Sequence, residues 1–339
     1  MPLALSFDVI EIRPRHPFTI ARGTSDVYRR VWVRLADGDG VEGWGEADPS
    51  AYYGETADTV VAALRQVAPL LPVDPLDLER AEAALLRSLG AHASARAAVS
   101  AALHDLAGKR LGVPLWKLWG LDPARAPLSS FTIGLDAPDV VRAKVREAAP
   151  YPILKIKVGT AEDETMLRTV RDVTDKPLRV DANGGWSAKE AVARLPLLEE
   201  MGVELIEQPV APADREGLAA VHRASRIPIV ADESCRVAAD IPGLAGAVDG
   251  ISIKLAKCGS LREALRRIAV ARAHGLRVMV GCMVETSLGV TAAAHFTPLL
   301  DLVDLDGAAL LAHDPFVGAS MVAGRLTLPT APGLGVTRR

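Results

Sequence analysis

The second half of the chain repeats one pattern seven times: a short apolar run that ends in a charged or small polar residue. The run endings lie 22 to 27 residues apart, and amphipathic stretches such as SLREALRRIAVARAHG fill the intervals. Short apolar runs indicate strands and amphipathic stretches indicate helices, so each interval predicts one strand and one helix. With FTIG (131–134) as a first strand, the pattern predicts an α/β fold, a TIM-like (β/α)7β barrel. The seven runs are ILKIKV, LRVDAN, VELIEQP, IPIVADE, GISIKL, RVMVGC and LVDLDG.

The first third of the chain has a different pattern. Three alternating segments, LSFDVIEI, RRVWVRLAD and VEGWGEA, predict an antiparallel sheet, and Asp37-Gly38-Asp39-Gly40 predicts a hairpin turn between the last two. Helical patterns follow. We therefore expect an α+β capping domain over residues 1–125, the barrel over 126–314, and a C-terminal segment, 315–339, that packs back on the capping domain.

Composition favours small-molecule chemistry. The net charge of -3 gives no sign of the basic surface that binds nucleic acid. Nowhere do some 18 apolar residues follow one another, as a membrane span requires. The N-terminus lacks the basic and apolar regions of a leader, and three cysteines fit no disulfide framework. We expect a cytoplasmic protein with free thiols that binds neither nucleic acid nor membrane.

Three acidic residues end successive predicted strands. Asp181, Glu207 and Asp232 are each one strand-helix unit apart, and the C-terminal strand ends of a barrel form its active-site face. Three carboxylates without His or Cys suit Mg²⁺ better than zinc. The alternative is that each acid caps the helix that follows it.

Lysines flank these acids. The chain has 30 Arg but only nine Lys, and three of the nine, Lys155, Lys157 and Lys254, lie at the ends of the second and sixth strands, which face each other in an eight-stranded ring. Lys155 and Lys157 share one strand face about 7 Å apart, so their repulsion would lower a lysine pKa towards neutrality. Opposed lysines could remove a proton from one face of a carbon and return it to the other, while Mg²⁺ stabilises the enolate. The alternative is that the lysines are solvated strand ends.

These residues resemble the enolase superfamily, its muconate-lactonizing branch and, within that branch, the dipeptide epimerases acting on L-Ala-D/L-Glu. The resemblance spans nearly the whole chain and departs from the pattern at Ala256, where aspartate is frequent. It is carried by FTIARG, VEGWGEA, ALHDLAGKRLGVPLWKLWG, KIK, DAN, EQP, ADES, IKLAKCGS, GCMVETS and DLDG.

The resemblance implies a role for each site residue. Lys157 and Lys254 would be the acid/base pair and Lys155 an electrostatic supporter, with one Mg²⁺ per subunit held by the three acids. A dipeptide ammonium would meet Asp304 and Asp306, although a strand-end turn would also explain this pair. Arg22, otherwise a solvated loop residue, would meet a glutamate side chain. Thr132, Cys282 and Met283 would line the pocket or serve only in packing.

The implied reaction is epimerisation of L-Ala-D/L-Glu by two-base 1,1-proton transfer, in murein peptide metabolism and in a possible homo-oligomer. The same scaffold could carry an N-acylamino acid racemase, an o-succinylbenzoate synthase or a cycloisomerase, none of which needs a receptor for the ammonium. A non-catalytic binding homologue is a further alternative, but such a protein has no use for two opposed lysines.

Overall fold

The computed structural model describes residues 3–339 and contains an N-terminal antiparallel sheet with helices packed on it. Strand β4 is the centre of this sheet, paired with β1 and β5, and β2 and β3 form a separate hairpin between β1 and β4. The elements are β1 (Ala4–Ile12), β2 (Phe18–Ile20), β3 (Gly23–Ser25), β4 (Tyr28–Ala36), β5 (Glu42–Ala47), α1 (Ala57–Leu64), α2 (Leu78–Ser88), α3 (Ala93–Leu111) and α4 (Leu115–Leu118).

A parallel barrel follows. Its strands are β6 (Phe131–Ile133), β7 (Leu154–Lys157), β8 (Leu178–Asp181), β9 (Val203–Glu207), β10 (Ile229–Ala231), β11 (Gly250–Ile253), β12 (Arg277–Gly281) and β13 (Leu302–Asp304). Its helices are α5 (Pro138–Glu147), α6 (Asp163–Arg171), α7 (Ala188–Glu200), α8 (Arg215–Ala224), α9 (Leu255–Cys258), α10 (Leu261–Ala273) and α11 (Ser287–Ala294). Short strands end the chain: β14 (Phe316–Val317), β15 (Ser320–Val322), β16 (Arg325–Thr327) and β17 (Thr337–Arg338).

The eight barrel strands lie side by side in chain order, which confirms the predicted fold class. The first and last strands approach each other through a parallel bridge between Ser129 and Val303. Ser130 N donates to Val303 O at 3.1 Å, an ordinary distance for a hydrogen bond between strands. The barrel is thus nearly closed. Among residues 3–339, no helix combines the length and the apolar character that crossing a membrane requires.

One interval differs from the predicted strand-helix unit. Between β10 and β11 the connection contains a 3-10 helix, Ala238–Gly243, in place of an α-helix. This is the shortest interval of the repeat, and Pro242 lies within the helical turn, where it cannot donate a backbone hydrogen bond. A short 3-10 helix of about two turns therefore crosses from one strand to the next.

The chain end packs against the N-terminal sheet. Phe316 meets Trp32 edge to face with ring centroids 4.6 Å apart, and Trp44 at 6.0 Å. Leu334 N donates to the buried carboxylate of Asp105 at 2.7 Å. These contacts bury aromatic surface between the capping sheet and the end of the chain, where edge-to-face pairs add to the stabilisation from burial.

Two glycines let β5 lie directly on α3. A Cβ built on Gly43 would come within 2.1 Å of Ala102 O, and one built on Gly45 within 2.1 Å of Ala98 O. Helix α3 offers a surface of alanines there and is buried along most of its length. The VEGWGEA pattern thus sets the distance between sheet and helix in the capping domain.

We expect Gly45→Ala to destabilise the protein by about 3 kcal/mol, because a methyl group there collides with a helix backbone that cannot move aside. Urea unfolding followed by circular dichroism measures the change. The control is Gly40→Ala, which has no atom within 4 Å of the new Cβ and costs only about 1 kcal/mol for its positive φ of 79°. Equal losses in the two variants would contradict the close-approach explanation.

Candidate active site

A cavity of about 590 Å³ opens at the C-terminal ends of the barrel strands, beneath the β2–β3 hairpin and the loop at residues 49–53. Nine of the residues singled out in the sequence line it: Arg22, Thr132, Lys155, Lys157, Lys254, Cys282, Met283, Asp304 and Asp306. Beneath it, the side chains of Asp181, Glu207 and Asp232 are buried in the protein. The structure thus brings all twelve predicted side chains to one end of the barrel.

Lys155 is the centre of an ion-pair network. Its Nζ lies 3.0 Å from Asp181 Oδ2, 2.6 Å from Glu207 Oε2 and 2.7 Å from Asp304 Oδ2. These carboxylates come from three different strands, so one buried ammonium group joins β8, β9 and β13 across the barrel mouth. The charge of Lys155 offsets part of the repulsion among them.

Lys157 and Lys254 reach the cavity from opposite walls. Lys157 Nζ donates to Asp181 Oδ2 at 2.7 Å, and Lys254 Nζ donates to Asp232 Oδ2 at 2.8 Å. Their strands, β7 and β11, have three strands between them in the eight-stranded order. Because both side chains line the same cavity, a molecule held in its centre has an amine on either side.

The pKa values of Lys155 and Lys254 are raised, whereas repulsion between paired lysines would lower a lysine pKa. Burial alone would lower the pKa of Lys155, but Asp181, Asp304 and Glu207 raise it well above its ordinary value. Burial also opposes the charge on Lys254, whose pKa Asp232 and Glu207 raise well above the ordinary value. The lowering was predicted from the repulsion between Lys155 and Lys157, and it was wrong for Lys155, because it counted the neighbouring lysine and not the closer carboxylates.

The three acids have the donor chemistry that Mg²⁺ prefers. Asp181 and Glu207 end adjacent strands and Asp232 follows the next, which gives hard oxygen ligands on three successive strands. Glu207 Oε1 is buried and accepts no hydrogen bond from the described residues. Burial and the charge of Asp181 raise the pKa of Glu207 to about 7, against the opposing effect of the Lys155 ammonium.

The lysine ammonium groups lie among these carboxylates. In residues 3–339 no three His, Cys, Asp or Glu side chains already stand in an arrangement that could hold a metal ion. The acids are nevertheless not helix caps, because Ser187 caps α7, Asp214 caps α8 and Val237 precedes the 3-10 helix after β10. In donor type, burial and the unpartnered Glu207 oxygen, the three residues fit Mg²⁺.

Arg22 is held over the cavity by the barrel. Its Nη1 donates to Glu233 Oε1 at 2.8 Å and to Asn183 O at 2.9 Å, and its guanidinium carbon lies 4.2 Å from the centre of the Tyr52 ring. The side chain is 31% exposed. The contact with Glu233 therefore ties the β2–β3 hairpin to the loop after β10.

The two aspartates of DLDG differ in their surroundings. Asp304 accepts from Ser130 Oγ at 2.7 Å and from Lys155, so both oxygens have partners. Asp306 accepts from Thr132 N at 2.6 Å, and burial together with the charge of Asp304 raises the pKa of Asp306 to about 6. Both carboxylates line the cavity.

Cys282 and Met283 form the wall that follows β12. Cys282 Sγ lies 3.3 Å from Asp304 O and accepts from Gly307 N at 3.2 Å. Burial raises the pKa of the Cys282 thiol well above its ordinary value, so it is protonated at neutral pH. All three cysteines of the chain are within the described residues and are free thiols, as predicted from their odd number.

Sequence reasoning missed four residues that join the site. Asn183 accepts from Lys157, Glu233 binds Arg22, Tyr53 lines the cavity, and Lys257 contacts Asp232. Asn183 lies two positions after Asp181, and Glu233 lies one position after Asp232. Polar residues that directly follow a predicted metal ligand were therefore the sequence signal that could have identified them. Lys257 is one of only nine lysines and lies three positions after Lys254.

A second group of carboxylates is buried between the capping sheet and the barrel. Glu46 lies in β5 and accepts a hydrogen bond from Thr286 N at 2.8 Å, while Asp48 lies 3.1 Å from Arg30 Nε. Glu285 completes the group. Burial raises the pKa of Glu285 to about 7, and burial with the charge of Asp48 raises that of Glu46 well above its ordinary value.

Comparison with known proteins matches both parts of the chain to family models. Residues 6–120 match the mandelate racemase / muconate lactonizing enzyme N-terminal domain, and residues 139–339 match the enolase C-terminal domain-like model. An L-Ala-D/L-Glu epimerase of Bacteroides thetaiotaomicron is 42% identical over 338 residues, which cover 99% of this chain and 88% of that protein.

Two solved structures share the whole architecture. The dipeptide epimerase of Enterococcus faecalis, complexed with Mg and L-Leu-L-Tyr, has a TM-score of 0.94 at 33% identity, with 99% of this chain and 100% of that chain covered. A substrate-liganded L-Ala-D/L-Glu epimerase of Bacillus subtilis has a TM-score of 0.94 at 32% identity, with 99% of each chain covered.

We expect Glu285→Gln to remove part of the pH dependence of stability. In the folded protein Glu285 keeps its proton up to about pH 7, whereas an ordinary glutamate loses it near pH 4.5. The folded state therefore binds more protons between these values, and raising the pH lowers the free energy of unfolding, by up to about 3 kcal/mol. The glutamine variant has no such proton to lose.

The measurement is urea unfolding at several values between pH 4.5 and 8. Glu285→Gln should show a shallower decline in the free energy of unfolding than the unmodified protein over this range. Glu199→Gln, an exposed position on α7, is the matched control and should keep the unmodified slope. A Glu285→Gln slope as steep as the unmodified one would show that the proton resides elsewhere in the group.

Proposed function

Because the chain belongs to the enolase superfamily, in its mandelate racemase and muconate lactonizing enzyme family, we propose that it is a Mg²⁺-dependent dipeptide epimerase, with L-Ala-D/L-Glu as its first substrate. One observation carries this proposal. Lys157 and Lys254 enter a single cavity from strands on opposite sides of the barrel, which is the arrangement that inverting a stereocentre requires.

The two lysines divide the proton transfer between them. A bound Mg²⁺ would offset the charge of the carboxylates that raise the pKa of Lys254, so that one lysine can act as a neutral amine. That amine removes the α-proton of the second residue from one face of the substrate, and the ammonium on the other face delivers a proton to the same carbon from the opposite side. Each lysine has its own acidic partner, Asp181 for Lys157 and Asp232 for Lys254. A different carboxylate therefore orients the amino group of each lysine. Reversing the roles of the lysines returns the product to the starting epimer.

Asp181, Glu207 and Asp232 would hold the Mg²⁺. When bound, the ion supplies a positive charge that polarises the substrate carboxylate and offsets the negative charge that develops as the proton leaves. Lys155, fixed by three carboxylates, adds a permanent positive charge on the same side of the cavity.

The substrate ends have chemically distinct receptors. Asp306 and Asp304 offer carboxylates to the α-ammonium of the dipeptide, and Arg22 offers guanidinium N–H groups to a glutamate side chain. Nη1 of Arg22 is occupied by Glu233, which leaves its remaining donors for a ligand. Thr132, Cys282 and Met283 line the rest of the pocket.

We also propose a cytoplasmic location, in support of which all three cysteines are free thiols. The chemistry requires one chain only, since every residue named above comes from the same barrel and its cap. A homo-oligomer is compatible with this arrangement and would leave the reaction unchanged. Size-exclusion chromatography with light scattering measures the oligomeric state.

We expect Lys157→Met and Lys254→Met each to reduce epimerisation of L-Ala-D-Glu about 1000-fold, since each removes the acid or base for one face. Each variant keeps one lysine, so it should still exchange the α-proton of the epimer whose proton faces that lysine. The two variants should therefore exchange opposite epimers in D₂O, followed by mass shift and by NMR. Lys144→Met, a buried lysine paired with Asp136 away from the cavity, is the control and should keep full activity.

Other outcomes have distinct meanings. If both variants exchange the same epimer, both lysines lie on one face of the substrate, and the two-base mechanism is ruled out. If the unmodified enzyme with Mg²⁺ exchanges the α-proton of no member of a dipeptide library, dipeptide epimerisation is ruled out as its function. Faster turnover of an N-acylamino acid would instead favour a racemase that needs no ammonium receptor.

A further inference from the structure

Lys257 is buried directly behind the site. It lies in α9, the single helical turn that follows β11, three residues after Lys254. Its side chain is 0% exposed. A lysine is rarely buried to this degree without a specific partner, because removing an ammonium group from water carries a large free-energy cost.

The ammonium of Lys257 binds three acceptors, two of which belong to one residue. Nζ contacts the carboxylate of Asp232 through Oδ1 and donates to the main-chain carbonyl of Asp232 at 2.7 Å. The third acceptor is Ser252 O at 3.3 Å. An ammonium group has three N–H donors, so all three are used and none is left for substrate.

This pattern fixes the side-chain torsions of Asp232. The same Nζ holds both the main-chain oxygen and one carboxylate oxygen, so the carboxylate cannot rotate without breaking a buried ionic contact. The other oxygen, Oδ2, is thereby directed to Lys254 at 2.8 Å. On the opposite side, the side chain of Gln208 accepts from Asp232 N at 2.9 Å, which fixes the backbone as well.

The position of Lys257 is itself supported. Arg267, also buried, donates to Ser252 O at 3.0 Å and to Cys235 O at 2.9 Å. It therefore shares an acceptor with Lys257 and joins β11 to the loop that follows β10. The chain from Arg267 through Ser252 O and Lys257 to Asp232 is continuous and sealed from the cavity. Together these contacts hold the carboxylate of Asp232 in one orientation.

We propose that Lys257 is a positioning residue that presents Asp232 to the metal and to Lys254. It touches neither substrate nor reacting atoms and acts only through Asp232. The assignment rests on the proposed function in one respect, the role of Asp232 as a Mg²⁺ ligand. Groups that orient a metal ligand typically change metal affinity by 10- to 100-fold when removed.

The test is calorimetric titration of the metal-free protein with MgCl₂, without substrate. We expect Lys257→Met to weaken Mg²⁺ binding about 10- to 100-fold. Lys257→Gln, which keeps a polar head group, should lie between the methionine variant and the unmodified protein. Lys144→Met makes the same change in a buried lysine that is paired with the exposed Asp136 and does not line the cavity, and it should bind Mg²⁺ normally.

Circular dichroism at the titration temperature selects the folded variants. If the methionine variant does not fold, the glutamine variant decides. A folded Lys257 variant with unmodified Mg²⁺ affinity overturns the assignment, even when the unmodified protein epimerises dipeptides. If the unmodified protein binds Mg²⁺ but exchanges no dipeptide α-proton, the proposed function fails while weakened binding in Lys257→Met still supports the positioning role.

Discussion

The barrel mouth depends on the balance of charge among lysines and carboxylates that are almost completely removed from water. Isolated, each of these groups would carry a desolvation cost of several kcal/mol. Together they offset one another, because Lys155 bridges three carboxylates and Asp232 lies between two ammonium groups. The acids therefore hold the lysines in place before any substrate binds, and the preorganised charges cost no reorganisation during proton transfer.

The capping domain completes the cavity and is joined to the barrel by polar contacts buried at their interface. Arg30 of β4 donates to Val284 O, beside the wall formed by Met283, and Glu46 accepts from Thr286. Arg22 ties the β2–β3 hairpin to Glu233. Loops of the cap thus contact the loops that carry the chemistry, so the pocket above the lysines has walls from both parts of the chain.

The sequence was sufficient for the repeat, the strand ends and the opposed lysines, because a parallel barrel with one unit per interval places equivalent positions at equivalent heights. It was insufficient for the electrostatics. Counting charges along a strand placed Lys155 next to Lys157, yet the nearest charges to Lys155 are carboxylates from other strands, and they raise its pKa. Lys257 was missed for a similar reason, since its partner is 25 positions away in the chain.

What the chain alone determined is therefore the identity and the order of the chemical groups: three acids on successive strands and amines on strands two and six. The spacing of the apolar runs encodes this directly, because strand-helix units of similar length can only stack side by side. Which oxygen meets which ammonium was decided by the folded structure. Those contacts depend on side-chain torsions and on burial shared among residues from several strands, and no local pattern in the sequence records either quantity.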